Sequence, residues 1–171
     1  MNRMQGMRKF SSVTRNLSVE SWYSWFKQDA LDMNPSYQRD YVWTQKEQNE
    51  FLNTLLSGFP IGVIAISDNS RTKGFMETKW IEVIDGKQRL TTLGLVFSNK
   101  IPLPLSDGSN VFWDDLTPPE SRKFRSIPMS CIDLSDSTEK ERIEFFYRVN
   151  FTGVPQSEEH RNSVIKMLEK L

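Results

Sequence analysis

The sequence predicts an α+β fold, a small mixed sheet surrounded by helices. Three observations carry that expectation. Short β-branched apolar runs occur at 61–66, 81–84 and 125–133, the segments around them repeat apolar residues at helical spacing, and no internal repeat or low-complexity block is present. At 171 residues the chain has the size of one domain. Residues 1–16, with Arg3, Arg8, Lys9 and Arg15 and no acid, read as a flexible basic tail before a single domain over 17–171.

Ser18 opens a first helix in which Val19, Trp22, Trp25, Phe26 and Ala30 form an aromatic stripe suited to the core. Asn34-Pro35 stops it and sets up an extended segment over 36–43. Thr44 and Glu47 make a capping box for a helix with Phe51, Leu52, Leu55 and Leu56 on one face, ended by Gly58 and Pro60. A strand over 61–66, a polar connection over 67–79 and a strand over 81–84 follow, spaced for an antiparallel pair. From Leu90 a helix carries Leu93, Val96 and Phe97 inward.

Residues 98–119 read as a surface excursion with little regular structure. Thr117, Pro118 and Glu120 start the next helix, and a third strand fills 125–133. Ser135 or Asp136 is the expected cap of a helix with Ile143, Phe146 and Tyr147 inward. Ser157 starts a last amphipathic helix through Val164, Ile165 and Leu168.

Composition closes several function classes. Twenty-two basic and 22 acidic residues cancel, so no global attraction to nucleic acid operates, although a local patch could. The single cysteine, Cys131, cannot form an internal disulfide and reads as a buried small hydrophobe, which suits a reducing, cytoplasmic setting. No run is long enough for a membrane span. One histidine, His160, offers no zinc set, no metal-binding cluster and little with which to build a histidine-dependent nuclease.

The chemistry concentrates in IEVIDGKQRLTT, residues 81–92: strand, Asp85-Gly86 turn, helix. Lys87 and Arg89 carry the wrong charge for a helix start, whose exposed N–H groups attract anions. A second Gln-Arg pair, Gln38-Arg39, recurs upstream. Arginine grips phosphate with two parallel bonds. Two readings stay open on physics alone: a phosphate cradle, or an Asp85 cap with Lys87 and Arg89 turned to solvent.

Four blocks in fixed order, NPSYQRDYVW, FLNTLLSGFPIGVIAI, IEVIDGKQRLTTL and FFYRVNFTGVPQS, resemble the DGQQR-motif family over roughly residues 18–160. This is the N-terminal domain of GmrSD-type restriction systems, with relatives in phosphorothioate-sensing and BREX-associated defence. The resemblance implies a ParB/sulfiredoxin-like fold and nucleoside triphosphate binding, with hydrolysis left open. It implies Asp85, Gln88 and Arg89 as catalytic residues. Gln38, Arg39, Gly86, Lys87, Thr91, Thr92 and Asn150 would bind nucleotide and phosphate, although Asn150 also reads as a plain helix cap.

Lys87 stands where the motif has its first Gln, which puts a water-orienting role there in question. The family's C-terminal HNH nuclease has no counterpart in this sequence, so autonomous DNA cleavage is not expected. The expected cofactor is Mg²⁺ arriving with the bound NTP. The expected partners are the nucleotide, then DNA or a separate nuclease or defence protein. The alternative is a non-catalytic DNA- or protein-binding module or decoy that uses the same cationic pocket.

Overall fold

The computed structural model describes residues 11–73, 78–135 and 137–152. The expected final helix from Ser157 and His160 lie outside them. In chain order the elements are β1 (Val13–Arg15), α1 (Val19–Lys27), β2 (Leu31–Asp32), α2 (Gln45–Leu56), β3 (Ile64–Asp68), α3 (Ser70–Lys73), β4 (Ile81–Asp85) and α4 (Lys87–Phe97). There follow β5 (Leu103–Pro104), β6 (Asn110–Val111), a 3₁₀ turn (Trp113–Asp115), α5 (Pro118–Arg125), β7 (Cys131–Asp133) and α6 (Glu139–Phe151). This is the α+β architecture the sequence predicts.

The sheet has the order β1-β7-β3-β4-β2 and is mixed. β3 and β4 pair antiparallel, as their connection foretold, whereas β7 joins β3 and β2 joins β4 in parallel. The alternation that an exposed sheet would show is absent from β3, where Ile64, Ala65 and Ile66 are all buried, because both faces are covered. The main core gathers Trp22, Leu52, Leu55, Ile66, Ile81, Leu90 and Leu93, each essentially out of water. Burying a side chain of this kind stabilises by roughly 1.5–3 kcal/mol. The aromatic stripe of α1 is core, as expected: Trp22 donates to the Met129 carbonyl at 3.1 Å and meets Trp25 edge-on.

Several boundaries differ from the sequence reading. The expected tail is structured at its end, since Val13–Arg15 pair with Cys131–Asp133 and Arg15 forms ion pairs with Asp133 and Asp68. The basic residues that suggested a tail include one whose acids lie more than 50 positions away. The strand expected at 61–66 begins only at Ile64: Gly62 has φ 79°, and the carbonyls of Ile61 and Val63 are taken by Arg89. The strand expected at 125–133 is confined to 131–133, because α5 runs to Arg125. α6 is capped by Thr138 with Glu141, not by Ser135 or Asp136. Of its expected inward residues, Phe146 packs on the sheet while Ile143 and Tyr147 are exposed.

Other readings hold. The capping boxes at Thr44–Glu47 and Thr117–Glu120 form, and α2 gives way to Gly58 at φ 76°. The 98–119 excursion contains only a two-residue hairpin and the 3₁₀ turn. Cys131 is fully buried, and that burial pushes its thiol up to about 11. No helix among the described residues is long and apolar enough to cross a membrane.

Candidate functional site

β4 delivers the chain to the site. Its last residue, Asp85, is followed by Gly86 at φ 101° and ψ 9°, a left-handed corner that turns strand directly into α4. A Cβ on Gly86 would stand 2.9 Å from Ile64 Cγ1, so the position is closed both by conformation and by space. Gly86→Ala is expected to cost more than about 1 kcal/mol, read as a lowered urea midpoint at unchanged slope. A midpoint equal to that of the parent protein would mean the corner tolerates a side chain.

Gly86 is the N-cap of α4, and no side chain caps it; the first turn also lacks an acid. By contrast, α2 and α6 are closed by Thr–Glu capping boxes. The alternative in which Asp85 caps this helix therefore fails: its Oδ2 accepts instead from Arg89 Nη2 at 3.0 Å.

A cavity of about 430 Å³ opens in front of this N-terminus, and it unites the two Gln-Arg pairs. Gln38, Arg39, Asp85, Gly86, Lys87, Gln88, Arg89 and Asn150 all line it, together with Tyr37, Trp43, Phe146 and Phe151. The segment carrying Gln38 and Arg39 is not the extended run expected. The Gln38 N–H closes a turn on the Pro35 carbonyl at 2.9 Å, and side chains rather than ladder bonds dock the segment. Gln38 Nε2 donates to the carbonyls of Val83 and Ile84 at 3.2 and 2.7 Å. Tyr37 donates to Glu82, and Arg142 of α6 donates to the same carboxylate. Burial first, and then the Glu82 bond, raises the Tyr37 hydroxyl far above its ordinary range, so it stays protonated.

The residues singled out by sequence divide into three groups. Arg89 and Gln88 are committed to the fold. Arg89 donates to Ile61 O at 2.7 Å, Val63 O at 3.2 Å and Asp85, so it staples the 61–63 loop onto α4. Burial lowers its pKa and Asp85 offsets that effect. Gln88 uses both ends of its amide, accepting from Val42 N–H at 2.9 Å and donating to Asp40 O at 3.0 Å.

Thr92 and Thr91 leave the site. Thr92 is fully buried, shares a hydrogen bond with Tyr41 and donates to Gln88 O; Thr91 lines a separate shallow groove. Asn150 does line the cavity, from inside the last turn of α6 rather than as its cap, with Nδ2 donating to Phe146 O.

Two cations lining the cavity have no acid partner among the described residues. Lys87 is not turned to solvent: it is only 6 % exposed, it lines both the cavity and the neighbouring groove, and its Nζ donates to Asn34 Oδ1 of that groove at 3.0 Å, with no acid in ion-pair contact among the described residues. Arg39 is exposed on the rim and has no hydrogen-bond or ion-pair partner among the described residues. Among the described residues the cavity is lined by three cations and one carboxylate, Asp85, already held by Arg89. Among the described residues no three His, Cys, Asp or Glu gather as a metal-binding group.

Sequence reasoning missed the aromatic wall. Tyr37, Phe146 and Phe151 follow one another at ring-centroid distances of 5.3 and 6.0 Å, and Trp43 packs on Phe51. The signal was available for Tyr37 and Trp43, which flank Gln38-Arg39, but not for Phe151, which only tertiary folding brings there.

The profile of the GmrSD restriction endonuclease N-terminal domain matches residues 22–164 of this chain. Among curated proteins none matches it.

Proposed function

Because this chain belongs to the GmrSD restriction endonuclease N-terminal domain family, a component of restriction and phage-defence systems, we propose that its cavity binds a nucleoside triphosphate. One observation carries the reading: the uncapped N-terminus of α4 adjoins a lysine that is 6 % exposed and has no acid partner among the described residues. A buried ammonium costs free energy unless something compensates it, and free helix N–H groups add to the same attraction for anions.

Arg39, at the mouth, supplies a fork suited to phosphate oxygens. The aromatic wall offers faces on which a base stacks. A volume of about 430 Å³ is on the scale of small-ligand sites. The described donor set does not fit a metal held by the protein, since Asp85 is the one carboxylate among the described lining residues and Arg89 occupies it.

The test is a thermal-shift titration of the protein and of Arg39→Ala with each of the four NTPs in the presence of Mg²⁺. At about 100 times its Kd, a nucleotide stabilises the fold by about 2.7 kcal/mol. Arg39 has no partner to lose, so Arg39→Ala should melt with the parent protein and bind about tenfold more weakly. If no NTP shifts the melting of the parent protein, the reading is removed. A steep salt-dependent affinity for DNA in its place would favour the non-catalytic binding module. Phosphate release measured in the same samples reports whether turnover accompanies binding.

A further inference from the structure

We propose that Gln38 reads the sugar of the bound nucleotide, its amide oxygen accepting a hydrogen bond from a ribose hydroxyl; the inference rests on the triphosphate reading above. The orientation of the amide follows from its partners. The carbonyls of Val83 and Ile84 can only accept, so the NH₂ group must face β4, and both of its hydrogens are committed there. Oε1 is the polar atom left over. Gln38 is half-buried and lines the cavity, yet Arg125 Nε is the one buried side-chain polar atom without a partner among the described residues. Among the described residues Gln38 Oε1 has no donor, and its side chain lines the cavity.

An acceptor does not meet phosphate oxygens, which are acceptors themselves, so it must meet a donor on the nucleoside. Its position selects which one. Ile84, which holds the amide at 2.7 Å, precedes the first residue of α4 by three positions, a reach of at most about 10 Å along extended chain. That separation matches a sugar following phosphates bound at the helix N-terminus. The base end falls to Phe146 and Phe151, whose rings carry neither donors nor acceptors. Of the other side-chain acceptors lining the cavity, Asp85 is turned to Arg89 and Gln88 Oε1 accepts from Val42 N–H, while Asn150 lies at the aromatic end beside Phe146.

The experiment measures Kd by isothermal titration for the NTPs and for their 2′-deoxy and 3′-deoxy counterparts, on the parent protein and on Gln38→Met. In the parent, loss of the recognised hydroxyl weakens binding about tenfold. In Gln38→Met the ribonucleotide weakens by a similar factor, and the difference between ribo and deoxy forms disappears.

Equal affinity of the parent protein for all three sugars overturns the proposal. So does selectivity that follows the base alone, or discrimination that survives in Gln38→Met. Because Gln38 also docks its segment, the melting curve of Gln38→Met without ligand is recorded, and if that variant is unfolded the parent comparison alone decides. Absence of binding by every NTP removes the underlying reading and this inference with it, and is thereby distinct from equal binding.

Discussion

Lys87→Met is expected to raise the melting temperature of the protein and, at the same time, to abolish most of its response to nucleoside triphosphates. Lys87 is 6 % exposed, and among the described residues its one partner is neutral, Asn34. Methionine fills nearly the same volume without a charge to desolvate, and Asn34 is exposed, so water takes the place of the lost donor. A gain of about 1 kcal/mol follows, or roughly 2–4 °C for a domain of this size. The same change removes the one buried cation beside the helix N-terminus, and a charge-assisted contact to phosphate contributes about 1.5–3 kcal/mol, a loss of ten- to a hundredfold in affinity. Melting curves with and without NTP check both halves. A variant no more stable than its parent would mean the ammonium is already compensated, and an unchanged nucleotide response would place the phosphates elsewhere.

Arg89→Ala is expected to destabilise the fold strongly. Its guanidinium holds Asp85 at 3.0 Å and the carbonyls of Ile61 and Val63, with its side chain 16 % exposed. Removing one member of a largely buried pair leaves the other unpaired, and here it also frees the loop that leads into β3. A cost of about 3 kcal/mol is appropriate, with a fall in melting temperature of roughly 6–12 °C. Asp85→Asn should cost less, because an amide oxygen still accepts from Arg89. Chemical denaturation of the two variants gives the ordering. If Arg89→Ala instead melts with its parent while losing nucleotide affinity, the residue is a ligand group and not a staple. A titration of Arg89→Ala alone would confound these outcomes, since an unfolded variant also gives no heat.

Much of the scaffold was legible because its signals are local. Helical spacing in Leu90, Leu93 and Val96, the Thr-x-x-Glu boxes at 44 and 117 and the turn pair before Lys87 each act within a few residues, and each forms as read. The misreadings share one cause. β1 has little apolar pattern of its own and exists through pairing with β7. Likewise, β3 starts at Ile64 because Arg89, 25 positions later, claims the carbonyls before it. The Thr138–Glu141 box is the exception: its signal was in the sequence, beside Ser135 and Asp136, which compete on residue type alone.

The sequence by itself determined that basic residues sit at the first turn of a helix fed by a tight left-handed corner, because charge, glycine and periodicity are properties of neighbours along the chain. The tertiary structure alone decided which of those residues are spent on the fold. Hydrogen bonds with backbone groups up to 48 positions away turn Gln88 and Arg89 inward as struts and fix the Gln38 amide. Lys87 and Arg39 are left with charge to spare. A polar side chain's role depends on which of its donors and acceptors the fold has already satisfied, and those partners come from segments that local pattern cannot bring together.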